Sequence, residues 1–85
     1  MKKIIDKWTY NNKVFNQKTD YILFNDGHNY DICISRSTHK NGTQTYCMSD
    51  SRNEFKVYGT QREIKEIFDE LEKQWKESKN EKDNV

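Results

Sequence analysis

The sequence predicts a two-layer α+β domain: a four-stranded antiparallel meander with one C-terminal helix packed across one face, in the order ββββα. Three observations carry this. Ile64, Ile67, Phe68, Leu71 and Trp75 recur at helical spacing. Upstream, short segments alternate apolar and polar residues between turn signals such as Asp26-Gly27 and Asn41-Gly42. The registers that these turns impose gather large apolar residues on a single face, which the helical stripe can cover.

The helix has its own start signal. Thr60-Gln61-Arg62-Glu63 fits a capping box, in which Thr60 accepts from the Glu63 amide and the Glu63 carboxylate returns to Thr60. The apolar stripe then predicts a helix over 60–77, with Lys and Glu on its solvated face. Residues 78–85 are almost wholly polar and are expected to form a disordered tail.

For the middle of the chain, loop length decides register. Tyr30, Ile32 and Ile34 alternate with Asp31, Cys33 and Ser35, and a second strand spans Thr43 to Ser49. A three-residue loop, Lys40-Asn41-Gly42, sets Ile34 against Met48 and Arg36 against Tyr46. The two-residue alternative would bring Ile34 to the face of Cys47 and Ser49. A two-residue Asp26-Gly27 turn sets Leu23 against Tyr30 and Tyr21 against Ile32. A turn over Asp50 to Asn53 leads to a strand from Glu54 to Tyr58, with Met48 against Phe55 and Tyr46 against Val57. The expected core face is therefore Tyr21, Leu23, Tyr30, Ile32, Ile34, Tyr46, Met48, Phe55 and Val57. The sheet spans 20–58. Residues 4–16 add either a hairpin turning at Asn11-Asn12 or one long edge strand, which raises the meander to five or six strands. All of 1–77 forms one domain.

The opposite sheet face would then carry Ile22, Phe24, Cys33 and Cys47. Either Trp8, Tyr10, Val14 or Phe15 folds over it, or it joins these aromatics in a contact surface.

Composition narrows the function. There is no Pro and no Ala, and Lys, Asn, Ile and Tyr are favoured, which suggests an AT-rich genome of a low-GC bacterium or of its phages and mobile elements. No run approaches the roughly 20 apolar residues of a membrane helix. Met1-Lys2-Lys3 is not followed by a signal-peptide apolar region. A cytoplasmic location in a bacterial cell, away from membranes, is expected. His28, Cys33, His39 and Cys47 lack zinc-site spacing, so no metal is expected, and no cofactor. Cys33 and Cys47 share a face diagonally, too far apart for a disulfide, and are expected as buried free thiols. No nucleophile elbow, phosphate-binding glycine loop or metalloprotease motif is present, so a non-enzymatic protein is expected.

Two binding functions remain. The first is a small phage or mobile-element accessory protein that inhibits or adapts a host protein by stoichiometric binding, as anti-defence and anti-CRISPR proteins do. Its expected contacts are Trp8, Tyr10, His39, Lys40 and Arg52, because aromatic and basic residues anchor interfaces. The second is a single-stranded nucleic-acid-binding sheet using Lys2, Lys3, Lys7, Trp8, Tyr10, Lys13, Arg36 and Lys56. Its basis is residues 1–18, where five lysines oppose one aspartate and interleave with aromatics. A homodimer is a third option for the partner.

Overall fold

A computed structural model describes residues 2–50 and 59–83. Four strands precede one helix: β1 (Lys3–Asn12), β2 (Gln17–Asn25), β3 (Ile32–Thr38), β4 (Gln44–Asp50) and α1 (Gln61–Asp83). The strands form one antiparallel sheet in the order β1-β2-β3-β4. The ββββα architecture is thus present, with the N-terminal segment supplying its first strand. The strand expected at Glu54 to Tyr58, with Phe55 and Val57, lies outside the described residues, as do Arg52 and Lys56.

The N-terminal segment resolves in favour of one long edge strand. The turn is not at Asn11-Asn12 but at residues 13–16, since Asn12 pairs with Gln17. The Asn12 side-chain oxygen accepts from the amides of Val14 (3.1 Å) and Phe15 (3.2 Å). Asn16 then takes the left-handed conformation (φ 50°), which Asn tolerates better than most residues. Near its start β1 bulges between Ile4 and Asp6.

The β3–β4 hairpin has the expected register. Ile34 faces Met48, Arg36 faces Tyr46, and Gly42 closes the loop at φ 90°. The β2–β3 register differs. Ile22 faces Ile34 and Phe24 faces Ile32, so Tyr21 and Leu23 do not point to the core. The cause is Asn25. Its side-chain oxygen accepts from the Gly27 amide (2.8 Å), and its side-chain nitrogen donates to the carbonyls of His28 (3.0 Å) and Tyr30 (3.2 Å) and to the Asp31 carboxylate (3.0 Å). One amide thereby folds a wide loop over 26–31 in place of a tight Asp26-Gly27 hairpin. The odd shift in register turns β2 over.

The core lies between the sheet and α1: Ile22, Phe24, Ile32, Ile34, Tyr46, Ile64, Phe68 and Leu71 are buried, with Ile4, Tyr30, Met48 and Ile67 packed at its margin. Phe68 meets Tyr46 edge-on, with ring centroids 5.9 Å apart. Trp75 is half-buried at the far end of the stripe. α1 runs six residues past the expected end at 77, to Asp83, so Ser78 to Asp83 are helical.

The capping box forms as expected. The Glu63 amide donates to Thr60 Oγ1 at 3.1 Å, and the Thr60 amide points to Glu63 Oε1 at 3.4 Å. Thr60→Ala should lower stability by about 1 kcal/mol, read from urea unfolding, because it strips an acceptor from an otherwise unsatisfied helix donor. Gln61, one residue on, joins helix to sheet. Its side-chain amide donates to the Tyr46 carbonyl and accepts from the Tyr46 amide, both at 2.7 Å. The side chain therefore mimics a neighbouring strand on the outer edge of β4.

Candidate interaction face of the sheet

Strand alternation fixes what the helix-free face carries. Across the sheet the first row is Tyr10, Thr19, Ser37 and Thr45. The second is Trp8, Tyr21, Ser35 and Cys47. The third is Asp6, Leu23, Cys33 and Ser49. Among the described residues no second layer covers these rows. The N-terminal aromatics do not fold over the face; they form one side of it.

Trp8 and Tyr21 stack across the β1–β2 pair, with centroids 5.2 Å apart and planes 12° from parallel. Offset aromatic pairs of this kind contribute about 0.5–1.5 kcal/mol beyond area burial. The stack holds the indole in place while leaving it 41% exposed, and Tyr10 beside it is 57% exposed. Trp8, Tyr21, Leu23, Cys33, Ser35, Cys47, Ser49 and the buried Asp50 border a shallow hollow of about 420 Å³. Asp6 is the single Asp, Glu, Lys or Arg of the three rows.

The cysteines sit within this face, diagonal to one another as expected, and both are free. They are less buried than expected: Cys33 is half-buried and Cys47 is exposed, because the face is open. Burial pushes the Cys33 thiol pKa up, which keeps it protonated at neutral pH and makes it a poor nucleophile. Among the described residues no group of three His, Cys, Asp or Glu side chains is placed to hold a metal ion.

The expected contact residues separate. Trp8 and Tyr10 lie on the open face. His39 lies at its end, where its Nε2 meets Thr45 Oγ1 at 2.8 Å, and Lys40 is exposed in the adjoining loop. Tyr21 and Leu23 are members of the same face that the sequence reading missed, because its β2 register pointed them inward.

The basic residues expected to bind nucleic acid do not form one patch. Lys2 and Lys3 lie at the start of β1, where Gln74 of α1 donates to the Lys2 carbonyl at 3.1 Å. Lys7 is on the helix side, opposite Ile22. Lys13 is at the other end of β1, in the turn.

Arg36 is the clearest correction. It lies on the helix side, where its guanidinium reaches Asp20 at 3.0 Å and Glu72 at 3.2 Å and covers the Phe68 ring at 4.6 Å. Thr9 also donates to Asp20, at 2.7 Å. Burial pushes the Asp20 carboxyl up, but the hydrogen bonds from Thr9 and Arg36 and the nearby positive charges outweigh it, so its pKa is lowered. Arg36 is thus engaged by two carboxylates and a ring on the helix side of the sheet, not on the open face.

No helix among the described residues is long and apolar enough to cross a membrane. Compared with family models, curated proteins and solved structures, the chain matches none.

Proposed function

We propose that the protein is a small, non-enzymatic binding protein that engages another protein stoichiometrically through the open sheet face. The observation that supports this most is the stacked Trp8–Tyr21 pair, held in place along one side of a surface with a single charged residue in its rows. Anchored aromatics of this kind dominate protein–protein contact energies. The chemistry of the face selects the partner. Without lysines or arginines it has nothing to neutralise a polyanion. It suits a protein that presents an apolar patch with few charges. An accessory protein of a phage or mobile element that inhibits or adapts a host protein acts in this way, and the AT-rich composition agrees with that origin.

Cys47→Arg tests the reading without disturbing the core, since Cys47 is exposed and lies in the middle row of the open face. Wild-type protein should capture a partner from a low-GC bacterial lysate after nuclease treatment. Cys47→Arg and Trp8→Ala should each weaken that capture tenfold or more, while Lys73→Glu on the outer helix face leaves it unchanged. Loss of the partner on nuclease treatment would overturn the proposal. So would sedimentation that shows a stable homodimer dissolved by Cys47→Arg, because the face would then serve self-association.

A further inference from the structure

The sheet is electrically polarised along its strands. Its two hairpin tips lie together at one end, and no Asp or Glu occurs in residues 7–19 or 37–49. The carboxylates of the strands and their connections fall elsewhere: Asp6, Asp26, Asp31 and Asp50 toward the other end, and Asp20 inside, paired with Arg36.

Between the tips is a cleft of about 280 Å³ lined by Asn11, Asn12, Lys13, Asn16, Gln17, Lys18, Thr38, His39 and Lys40. Three lysines, one histidine and four Asn or Gln residues thus line one concavity with no Asp or Glu among them. Like charges gathered around one cleft repel one another, and an anion bound there would relieve that repulsion.

A second, more open hollow of about 700 Å³ adjoins the cleft and shares Gln17, His39 and Lys40 with it. Its remaining lining includes Phe15, which stands 71% exposed at the tip of the β1–β2 turn. The turn makes this display inevitable. Asn12 and the left-handed Asn16 fold the backbone so that Val14 and Phe15 sit at its apex, away from the core. A large apolar ring held in water beside three lysines is costly for an ornament and well suited to a base platform.

We propose that the hairpin tips form a nucleoside-phosphate site. The phosphate sits in the cleft among Lys13, Lys18 and Lys40, and the base stacks on Phe15 in the adjoining hollow. Asn and Gln side chains around both provide donors and acceptors for the sugar and base edges. The same chemistry is presented by a free nucleotide or by one unit of a single strand. This site is separate from the open face, and of the lysines expected to bind nucleic acid it uses Lys13 and not Lys2, Lys3 or Lys7.

The test uses the whole protein labelled with nitrogen-15, titrated with a mononucleotide, a short oligothymidylate and inorganic phosphate. Nucleotide or oligonucleotide should shift the amides of residues 11–18 and 38–43 and leave those of α1 unmoved. Lys13→Ala with Lys40→Ala should weaken binding at least tenfold, and Phe15→Ser about fivefold. With one phosphate neutralised in the cleft, oligonucleotide affinity should fall at least roughly 2.5-fold between about 50 and about 200 mM salt, and more steeply if neighbouring phosphates of the strand reach the same lysines. Binding of the mononucleotide alone assigns the site to free nucleotides, and tighter binding of the oligonucleotide assigns it to a strand; either supports the proposal. It is overturned if neither probe shifts the tip amides at low salt, if the lysine variant binds as well as wild type, or if inorganic phosphate binds as tightly as the nucleotides.

Discussion

Phe68→Ala should destabilise the domain by about 3–5 kcal/mol. Phe68 is fully buried at the centre of the helix–sheet contact. Its ring shares one buried cluster with Ile22 and Ile34, meets Tyr46 edge-on, and lies under the guanidinium of Arg36. Truncation removes the burial, leaves a cavity that the sheet cannot collapse to fill, and uncovers one face of a half-buried cation. An 85-residue domain has roughly 4–13 kcal/mol of stability in total. The loss is therefore a large part of the whole, and a substantial unfolded population at 37 °C follows. Urea unfolding monitored by far-ultraviolet circular dichroism measures it, with Lys73→Ala on the solvated face as the control. A loss below about 1 kcal/mol for Phe68→Ala would mean that the helix does not lean on the sheet through this residue.

Phe68 was legible in the sequence because a helix of this kind writes its buried face in a single stripe. The β3–β4 hairpin was legible for a related reason. Only the register with Gly42 closing a three-residue loop puts Ile34 and Met48 on one side, and Gly42 indeed has a positive φ. β2 was not legible. Tyr21-Ile22-Leu23-Phe24 is apolar on both faces, so alternation cannot say which pair is buried. The register then rested on Asp26-Gly27 as a tight turn, and the side chain of Asn25 had more to offer the backbone there than a two-residue hairpin did.

The open face inherited that difficulty. Trp8 and Tyr10 were found as aromatics near the N-terminus. Their neighbours Tyr21 and Leu23 were not, because the face they belong to depends on the β2 register. Placing Lys13, Lys18 and Phe15 beside His39 and Lys40 depends on the turn falling at 13–16 rather than at Asn11-Asn12, which local signals alone could not decide. Arg36 carried a usable signal. The hairpin register already set it across from Tyr46 on the core face, where a cation requires a partner, and Asp20 and Glu72 supply two.

That arrangement sets the second large effect. Arg36→Met should cost about 3 kcal/mol at neutral pH, because it keeps an apolar stem over Phe68 while leaving two carboxylates without their cation. Asp20 matters most of the two, since its side chain is 6% exposed against 20% for Glu72. The pH dependence separates this cause from lost packing. In the wild type the folded-state pKa of Asp20 is lowered, so the stability it confers is fully present above the ordinary carboxylate range and is lost as pH falls through the folded value. Without Arg36 the burial of Asp20 is opposed only by the Thr9 hydrogen bond and the Lys18 charge, and its folded pKa should rise from its lowered value. The penalty is then present at neutral pH and fades as acid protonates the carboxyl. The two stability curves must therefore converge as pH falls from neutrality into the carboxylate range. Adding Asp20→Asn to Arg36→Met should recover about half of the loss at neutral pH and flatten its pH dependence, because the uncompensated charge is gone. Urea midpoints across that pH range measure both effects. A gap between wild type and Arg36→Met that stays constant with pH, or a double variant no more stable than the single one, would show that Arg36 acts through its contact with Phe68 and not through its charge.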